Sequence, residues 1–351
     1  MRKTTGYAPG RINLIGEHTD YNDGLVLPIA LTLGVTVDAR ERDDDVVRVV
    51  TDADVAPREI TYEIGREAPD GTWGDRVRGI THELGARGEA VFGFDADITS
   101  TLPAGAGLGS SAAFAVAVIR ALQDLFDLLL TDPEIVDIAH TVENGPFVGA
   151  RAGLLDQLAS VFGHQRAGLF IDLRDRSTEA IALPPDMELA VIDSGTRHEH
   201  ASSGYNRRRA ECEEAARHLG VSSLRDLEGR EISSVLERLV PPLDRRVRHV
   251  LTENERVRET VAALRAGDIP RVGTLLDASH RSLRDDYEVS TAELDRLVAL
   301  ARSDREVLGA RLVGGGFGGS ILALTRRGEA MGAADRVVGG YPDGRLVTVV
   351  P

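Results

Sequence analysis

A glycine-rich segment followed by two hydroxyl side chains is the clearest candidate for an anion site. Residues 103–113 read Pro-Ala-Gly-Ala-Gly-Leu-Gly-Ser-Ser-Ala-Ala, so Ser110 and Ser111 follow three glycines. These glycines are Gly105, Gly107 and Gly109. A backbone without side chains can approach an anion closely, and a helix that begins at the serines adds free N–H groups and a positive dipole end. Either hydroxyl could then reach a phosphate oxygen or Mg²⁺, although a simple tight turn also fits the segment alone.

A second stretch combines carboxylates, an imidazole and a guanidinium. Residues 8–24 contain Arg11, Glu17, His18 and Asp20. Such side chains exchange hydrogen bonds in fixed directions, which suits a ligand rich in hydroxyl groups. On composition alone, a solvated polar loop is the better explanation of the stretch.

A third stretch, residues 314–320, reads Gly-Gly-Gly-Phe-Gly-Gly-Ser and lies between two apolar segments that predict strands. The glycines could wrap a phosphate or pack against the first glycine-rich segment. A loose glycine-rich hairpin is an equally good interpretation.

The elements around these stretches mix strands and helices without regular alternation, which favours an α+β fold. Residues 35–39 and 46–50 predict strands, and the acidic residues 41–45 between them predict an exposed hairpin turn. Residues 112–119 are apolar on every face and predict a buried helix. Residues 153–162 predict a short apolar helix that holds a lone carboxylate, Asp156.

The bulk composition bounds the function. A chain of 351 residues with a formal net charge of −15 favours two domains and argues against a broad nucleic-acid or membrane surface. Cys212 is the only cysteine, which excludes an internal disulfide and a cysteine-based zinc site and fits a reducing cytoplasm. The sequence shows no signal peptide and no apolar run of membrane-spanning length.

The motifs of several common enzyme classes are missing. Lys3 is the only lysine, so the chain lacks the lysine of a Walker A loop, of a protein kinase or of a pyridoxal-phosphate enzyme. The dinucleotide-binding fingerprint needs a glycine where Ser110 stands, which argues against a nicotinamide dehydrogenase.

Taken together, the three stretches resemble the GHMP small-molecule kinases. That family carries a Pro-x-x-x-Gly-Leu-x-Ser-Ser-Ala phosphate loop, which residues 103–112 match throughout. Residues 10–24, Gly-Arg-Ile-Asn-Leu-Ile-Gly-Glu-His-Thr-Asp-Tyr-Asn-Asp-Gly, look like the sugar signature of the galactokinase members nearly letter for letter. The matches follow the family order from residue 8 to residue 324, and therefore cover nearly the whole chain.

The resemblance implies transfer of the γ-phosphate of ATP to the C1 hydroxyl of galactose, in galactose catabolism. It implies that Asp156, in Gly-Leu-Leu-Asp-Gln, acts on that hydroxyl and that Arg11 lies beside it and favours its ionised form. The residues implied to contact the sugar are Glu17, His18, Asp20, Gly153 and Tyr205. The residues implied to bind ATP are Gly105, Gly107, Leu108, Gly109, Ser110, Ser111 and Trp73, with Trp73 near the adenine. The residues implied to hold Mg²⁺ are Ser110 or Ser111 together with Glu143.

Several positions depart from the family pattern. Gly109 and Ala152 replace a serine and a cysteine that many galactokinases carry, and Ser320 also replaces a common cysteine. The segment that begins at Glu143 is one residue longer than usual, which weakens the metal assignment. None of these changes removes a group that the mechanism requires.

The resemblance also implies a two-domain fold, with a ribosomal-protein-S5-like N-terminal domain over residues 1–175 and a ferredoxin-like C-terminal domain over residues 176–351. We expect a cytoplasmic monomer whose partners are galactose and ATP, with neither a nucleic acid nor a membrane. The alternatives left open are a sister kinase acting on galacturonate, N-acetylgalactosamine, arabinose or mevalonate, and a non-catalytic galactose sensor. Mevalonate is the weakest of these, because its kinases carry a lysine at the position of Arg11.

Overall fold

The computed structural model describes residues 1–103, 105–197 and 201–350. Its chain divides into two compact units. Unit 1 comprises Met1–Arg11, Ala30–Ala104 and Leu108–Gly163, and unit 2 comprises Ile12–Ile29, Gly105–Gly107 and His164–Pro351. The predicted domain boundary between residues 175 and 176 stays a prediction.

Alternating apolar residues build the sheet of unit 1. The strands in the first third of the chain are β1 (Lys3–Asn13), β2 (Leu25–Val26), β3 (Pro28–Glu41), β4 (Val46–Thr51), β5 (Glu59–Glu63) and β6 (Phe94–Ser100). Five of them form one sheet in the order β1-β3-β6-β4-β5. Val47 and Val49 of β4 are fully buried while their neighbours Val46, Arg48 and Val50 are partly exposed, as expected for a strand with one face against the core.

The predicted hairpin between β3 and β4 is wrong, because β6 lies between these two strands. β6 pairs antiparallel with β3 and parallel with β4. Side-chain charge supports the pairing of β3 with β6, since Asp95 of β6 accepts hydrogen bonds from Arg40 at 2.9 Å and from Arg42 at 3.0 Å. The acidic residues at positions 43–45 are exposed, as predicted.

The helices of unit 1 pack against one another and carry several functional candidates. They are α1 (Asp75–Ala86), α2 (Ser110–Phe126), α3 (Asp132–Asn144) and α4 (Leu155–Phe162). The predicted buried helix is confirmed: α2 packs against the other three, and Val116, Ala117 and Ile119 have no exposed surface. A capping box formed by Thr131 and Glu134 begins α3 and satisfies backbone N–H groups that lack intrahelical partners.

Unit 2 contains two further sheets and the remaining helices. Its strands are β2, β7 (Ala167–Asp172), β8 (Ser177–Ala182), β9 (Met187–Arg197), β10 (Val307–Val313), β11 (Gly318–Arg326) and β12 (Arg345–Val350). Its helices are α5 (Ala201–Leu219), α6 (Ile232–Leu236), α7 (Leu243–Ala266), α8 (Ile269–Asp285), α9 (Ala292–Ser303) and α10 (Ala330–Gly339). The sheet orders are β2-β7-β8 and β10-β11-β9-β12, and the second sheet is antiparallel throughout.

The antiparallel sheet of unit 2 is packed on an apolar core. Ile192 of β9, Leu312 of β10 and Ile321 of β11 are fully buried in one cluster with residues of α8 and α9. The predicted arrangement of strand, glycine turn and strand over residues 310–324 is confirmed by the β10–β11 pair. In the described part of the chain, no helix is long and apolar enough to cross a membrane.

Candidate active site

Arg11 and Asp156 form a close ion pair in unit 1. Arg11 lies near the end of β1, and Asp156 lies in the first turn of α4, where the helix dipole favours a negative charge. Arg11 Nη2 is 2.5 Å from Asp156 Oδ1, and the two side chains are 10% and 29% exposed. The backbone N–H of Arg11 donates to Leu108 O at 2.9 Å, which joins β1 to the glycine-rich segment. The pair therefore has the adjacency that the resemblance implies.

Gly109 brings the start of helix α2 against this ion pair. Its φ angle is +71°, a left-handed conformation that favours glycine. A Cβ atom at position 109 would lie 3.2 Å from Arg11 Cγ and 3.5 Å from Asp156 Oδ2. Helix α2 begins at the next residue, Ser110. The free N–H groups at the start of α2 consequently lie close to the Asp156 carboxylate.

A cavity of about 310 Å³ in unit 1 is lined by Ser110 and Ser111. Trp73 and Phe114 also line it, with their ring centroids 6.2 Å apart in an edge-to-face arrangement. Trp73 Nε1 donates to Pro57 O at 2.6 Å, which fixes the indole. The remaining lining residues are Val35, Thr51, Ala53, Val55, Arg76, Ile98, Ser100 and Leu102. An apolar cavity with aromatic side chains and hydroxyl groups at a helix start suits a nucleotide.

Glu143, the predicted carboxylate ligand of Mg²⁺, is paired with Arg76. Arg76 Nε donates to Glu143 Oε2 and Arg76 Nη2 donates to Glu143 Oε1, both at 3.0 Å. The described residues contain no group of three or more histidine, cysteine or acidic side chains that could hold a metal. The hydroxyls of Ser110 and Ser111 fit an ion held mainly by phosphate oxygens. Glu143 could bind such an ion only while it also pairs with Arg76, because both of its carboxylate oxygens accept from the guanidinium. Its metal role stays a prediction.

In unit 2, the turn that follows β1 places Glu17 in a buried polar site. Glu17 Oε1 accepts a hydrogen bond from Gly314 N at 2.8 Å and lies 3.0 Å from Arg311 Nη2. Arg311 is fully buried in β10 and also donates to Leu14 O at 3.0 Å. Glu253 of α7 anchors the same turn by accepting from Gly16 N at 3.1 Å. The predicted sugar residue Glu17 is therefore held by groups distant in sequence.

His18 is buried at the end of a directed chain of hydrogen bonds in unit 2. Its Nε2 lies 3.1 Å from Gly315 O, which can only accept, so Nε2 carries the proton. Burial lowers the pKa of His18 to about 3, so the ring is neutral and Nδ1 accepts from the Tyr21 hydroxyl at 2.9 Å. The Tyr21 oxygen then accepts from Tyr287 at 2.9 Å, and the Tyr287 oxygen accepts from Cys212 at 3.0 Å. The structure commits both ring nitrogens of His18 to protein partners.

Tyr205 and Asp20 lie near this chain. The Tyr205 ring centroid is 5.3 Å from that of His18 and 5.4 Å from that of Tyr21. Asp20 begins a short 3₁₀ helix, Asp20–Asn22, and is partly exposed. Unit 2 therefore brings together four of the predicted sugar residues, whereas Gly153 lies just before α4 in unit 1.

The glycine turn between β10 and β11 packs against residues 105–107, all within unit 2. Ser320 Oγ donates to Ala106 O at 3.0 Å. A Cβ atom at Gly107, whose φ angle is +77°, would lie 3.4 Å from Val313 O. Packing against the first glycine-rich segment, one of the two uses predicted for this turn, is confirmed, and phosphate binding by the turn stays a prediction.

Sequence reasoning missed three functional candidates. Arg311 is flanked by apolar strand residues, and this isolated charge was a usable signal of a buried partner. Arg76 lies three residues after Trp73, but no local pattern connects it with Glu143. Tyr287 follows α8, and nothing in its sequence context indicates the contacts with Tyr21 and Cys212.

Comparisons with known proteins agree with this geometry. The model described as GHMP kinases N terminal domain matches residues 76–164, the galactokinase galactose-binding signature matches residues 3–41, and GHMP kinases C terminal matches residues 260–342. A galactokinase of Roseiflexus sp. (strain RS-1) is 41% identical over 349 residues, which cover 97% of this chain and 89% of the relative.

Solved structures give the same result. Galactokinase of Lactococcus lactis, crystallised with galactose, superposes with a TM-score of 0.93 at 33% identity and covers 98% of this chain and 93% of its own. Mevalonate kinase of Methanococcus jannaschii superposes with a TM-score of 0.73 at 19% identity, with 99% and 98% covered, and shows a shared fold. The predicted two-domain GHMP kinase fold of α+β class is confirmed. The chain belongs to the GHMP kinase family and, within it, to the galactokinases.

Proposed function

We propose that this chain transfers the γ-phosphate of ATP to the C1 hydroxyl of α-D-galactose and releases galactose 1-phosphate and ADP. The observation that carries the proposal is the Arg11–Asp156 pair, 2.5 Å apart, which lies so close to Gly109 at the start of α2 that a Cβ atom there would be 3.5 Å from Asp156 Oδ2. An ionised carboxylate beside the N-terminus of a helix provides a proton acceptor next to a phosphate-binding element. Membership of the galactokinases supports the same activity.

The chemical step is an in-line displacement. Asp156 accepts the proton of the C1 hydroxyl while the C1 oxygen bonds to the γ-phosphorus, and the bond between that phosphorus and the β,γ-bridging oxygen breaks. Arg11 orients the carboxylate through the ion pair between the two side chains. The protein contributes mainly position and charge, as in other phosphoryl transfers.

The residues of the unit 1 cavity and the glycine-rich segment bind ATP in this proposal. Trp73 and Phe114 contact the adenine, and the backbone N–H groups at the start of α2 bind phosphate oxygens. A hydroxyl of Ser110 or Ser111 would hold Mg²⁺ together with those oxygens. When bound, Mg²⁺ offsets the negative charge of the phosphates.

The sugar contacts are proposed for unit 2. The carboxylates of Glu17 and Asp20 accept hydrogen bonds from sugar hydroxyls, and the Tyr205 hydroxyl can donate to them or accept from them. His18 does not contact the sugar in this proposal. Its ring nitrogens bind Tyr21 and Gly315 and so stabilise the turn that follows β1. Substrate binding by Gly153, the monomeric state and the cytoplasmic location stay predictions.

The decisive experiment is a coupled ADP-release assay across free sugars and related acceptors, with and without Mg²⁺. The panel contains galactose, glucose, N-acetylgalactosamine, galacturonate, arabinose and mevalonate. The proposal requires that galactose gives the highest kcat/KM and that the product carries phosphate on C1, as phosphorus NMR reports. A higher kcat/KM with another acceptor would show that galactose is not the preferred substrate. Binding of galactose without release of ADP would show that the protein is a sensor and not a kinase.

A further inference from the structure

Arg76 is the single cation among the described residues that line the cavity of unit 1. It lies in the first turn of α1, and its side chain is 28% exposed. The cavity also holds the Ser110 and Ser111 hydroxyls and the chain's only tryptophan, Trp73. No local motif selected this arginine, and none of the proposed steps uses it.

The pairing with Glu143 leaves one edge of the guanidinium available. Nε and Nη2 both donate to the Glu143 carboxylate at 3.0 Å, whereas Nη1 has no partner within the described ranges. Glu143 is only 9% exposed, so the carboxylate is fixed and holds the guanidinium plane in one orientation. Two N–H donors of Nη1 are thereby preorganised for a ligand.

We infer that Arg76 binds a phosphate oxygen of the nucleotide through Nη1, and that Glu143 is the residue that positions it. This inference rests on the proposed function, because it takes ATP as the ligand of the cavity. A guanidinium matches phosphate oxygens in charge and geometry. The adenine needs no cation, since Trp73 and the apolar lining residues provide its stacking and apolar contacts.

Glu143 then acts through Arg76 and not as a direct ligand of Mg²⁺. Both of its carboxylate oxygens already accept from the guanidinium. The pair is neutral as a whole, so its contribution to binding comes from two oriented donors more than from net charge. The loss expected on removing Arg76 is that of a hydrogen bond to a charged group, about 10- to 100-fold in Kd.

Quenching of the fluorescence of Trp73 gives a direct binding assay, because this residue lines the same cavity. The Kd values of ATP, ADP and adenosine are measured for the wild type, Arg76→Gln, Glu143→Gln and the Arg76→Gln/Glu143→Gln double variant. Each titration is run in EDTA and in Mg²⁺. The double variant removes both partners and so avoids a buried carboxylate without a counter-charge.

Arg76→Gln and the double variant should weaken ATP and ADP binding about 10- to 100-fold in both EDTA and Mg²⁺, with adenosine within twofold of the wild type. Glu143→Gln should show the same pattern with a smaller loss. The control Arg87→Gln removes an exposed arginine–glutamate pair at the end of the same helix and should bind all three ligands like the wild type.

Three results would overturn the inference. They are an unchanged Kd for ATP in Arg76→Gln, an equal loss for adenosine, and a loss in Glu143→Gln that appears only with Mg²⁺. The last result would restore Glu143 as a direct metal ligand. Failure of the proposed function looks different, since the wild type would then prefer another acceptor or release no ADP with galactose, whatever the variants bind.

Discussion

Glu17 and Arg311 form an ion pair inside unit 2, with 3.0 Å between Glu17 Oε1 and Arg311 Nη2. Arg311 is fully buried and Glu17 is 5% exposed, so each charge depends on the other. Removal of one partner from a buried pair leaves an uncompensated charge, which usually costs about 3–5 kcal/mol. The pair thus links the turn that follows β1 to strand β10.

Arg311→Met should therefore lower the free energy of unfolding, measured in urea, by about 3–5 kcal/mol. Addition of Glu17→Gln to this variant should recover part of the loss, because no charge is then buried alone. Arg305→Gln is the control, since its pair with Glu306 involves a side chain that is 90% exposed. A loss in Arg311→Met no larger than that of the control would contradict the prediction.

Asp156→Asn should reduce kcat by roughly 10²- to 10⁴-fold, which is the usual contribution of a positioned base. Asparagine keeps the size of the side chain but cannot accept the proton of the C1 hydroxyl. The KM values for galactose and ATP should change by only a few-fold. Steady-state kinetics with purified protein measure both effects, and turnover close to that of the wild type would remove Asp156 from the mechanism.

The part of the site that the sequence predicted is the part encoded by contiguous motifs. Ser110 begins α2 and Arg11 lies beside Asp156, as the phosphate loop and the sugar signature indicated. The signature residue Glu17, in contrast, binds Arg311, which lies almost the length of the chain away. Contacts between residues so far apart leave no periodic trace in a single sequence.

The fold shows the same limit. Local patterns predicted the buried helix α2 and the β10–β11 strand pair, because apolar periodicity and glycine turns are local properties. They failed for β3 and β4, since β6 enters between these strands from more than forty residues further along the chain. The order of strands in a sheet depends on which strands pair along their edges, and a strand distant in sequence can pair as well as a neighbouring one.

Tyr287→Phe should disturb sugar binding more than ATP binding. The Tyr287 hydroxyl donates to Tyr21, which in turn donates to the buried ring of His18. Without that hydroxyl, buried groups lose a hydrogen-bond partner, at a cost of about 1–3 kcal/mol in the free energy of unfolding. We expect a raised KM for galactose and a KM for ATP within twofold of the wild type.

Cys212→Ser is the matched control for Tyr287→Phe. Burial raises the pKa of the Cys212 thiol to about 11, so the group is a neutral donor to Tyr287, and serine keeps a donor at that position. Its KM for galactose should therefore stay close to that of the wild type. If Tyr287→Phe raised the KM values for galactose and ATP equally, the substitution would have destabilised the protein as a whole. Tyr287 would then have no specific role in sugar binding.

Acid should destabilise the protein through its buried histidines. Burial lowers the pKa of His18 to about 3 and those of His249 and His280 to about 4, below the ordinary value near 6.5. Between pH 6.5 and 4 the unfolded chain then binds more protons than the native protein. The free energy of unfolding is therefore highest above about pH 6.5. It decreases as the pH falls, by up to about 1.4 kcal/mol per pH unit for each histidine.

His249→Gln isolates one of these contributions. The charges of Glu253, Arg256 and Asp286 act on its ring, and burial nevertheless lowers its pKa to about 4. In urea unfolding at several pH values from 4.5 to 8, the slope of unfolding free energy against pH below 6.5 should fall by up to about 1.4 kcal/mol per pH unit. The exposed His164 provides the control, since His164→Gln should leave the slope unchanged. A slope that is the same in wild type and His249→Gln would mean that His249 is already protonated in the native protein, and that burial does not hold its pKa down.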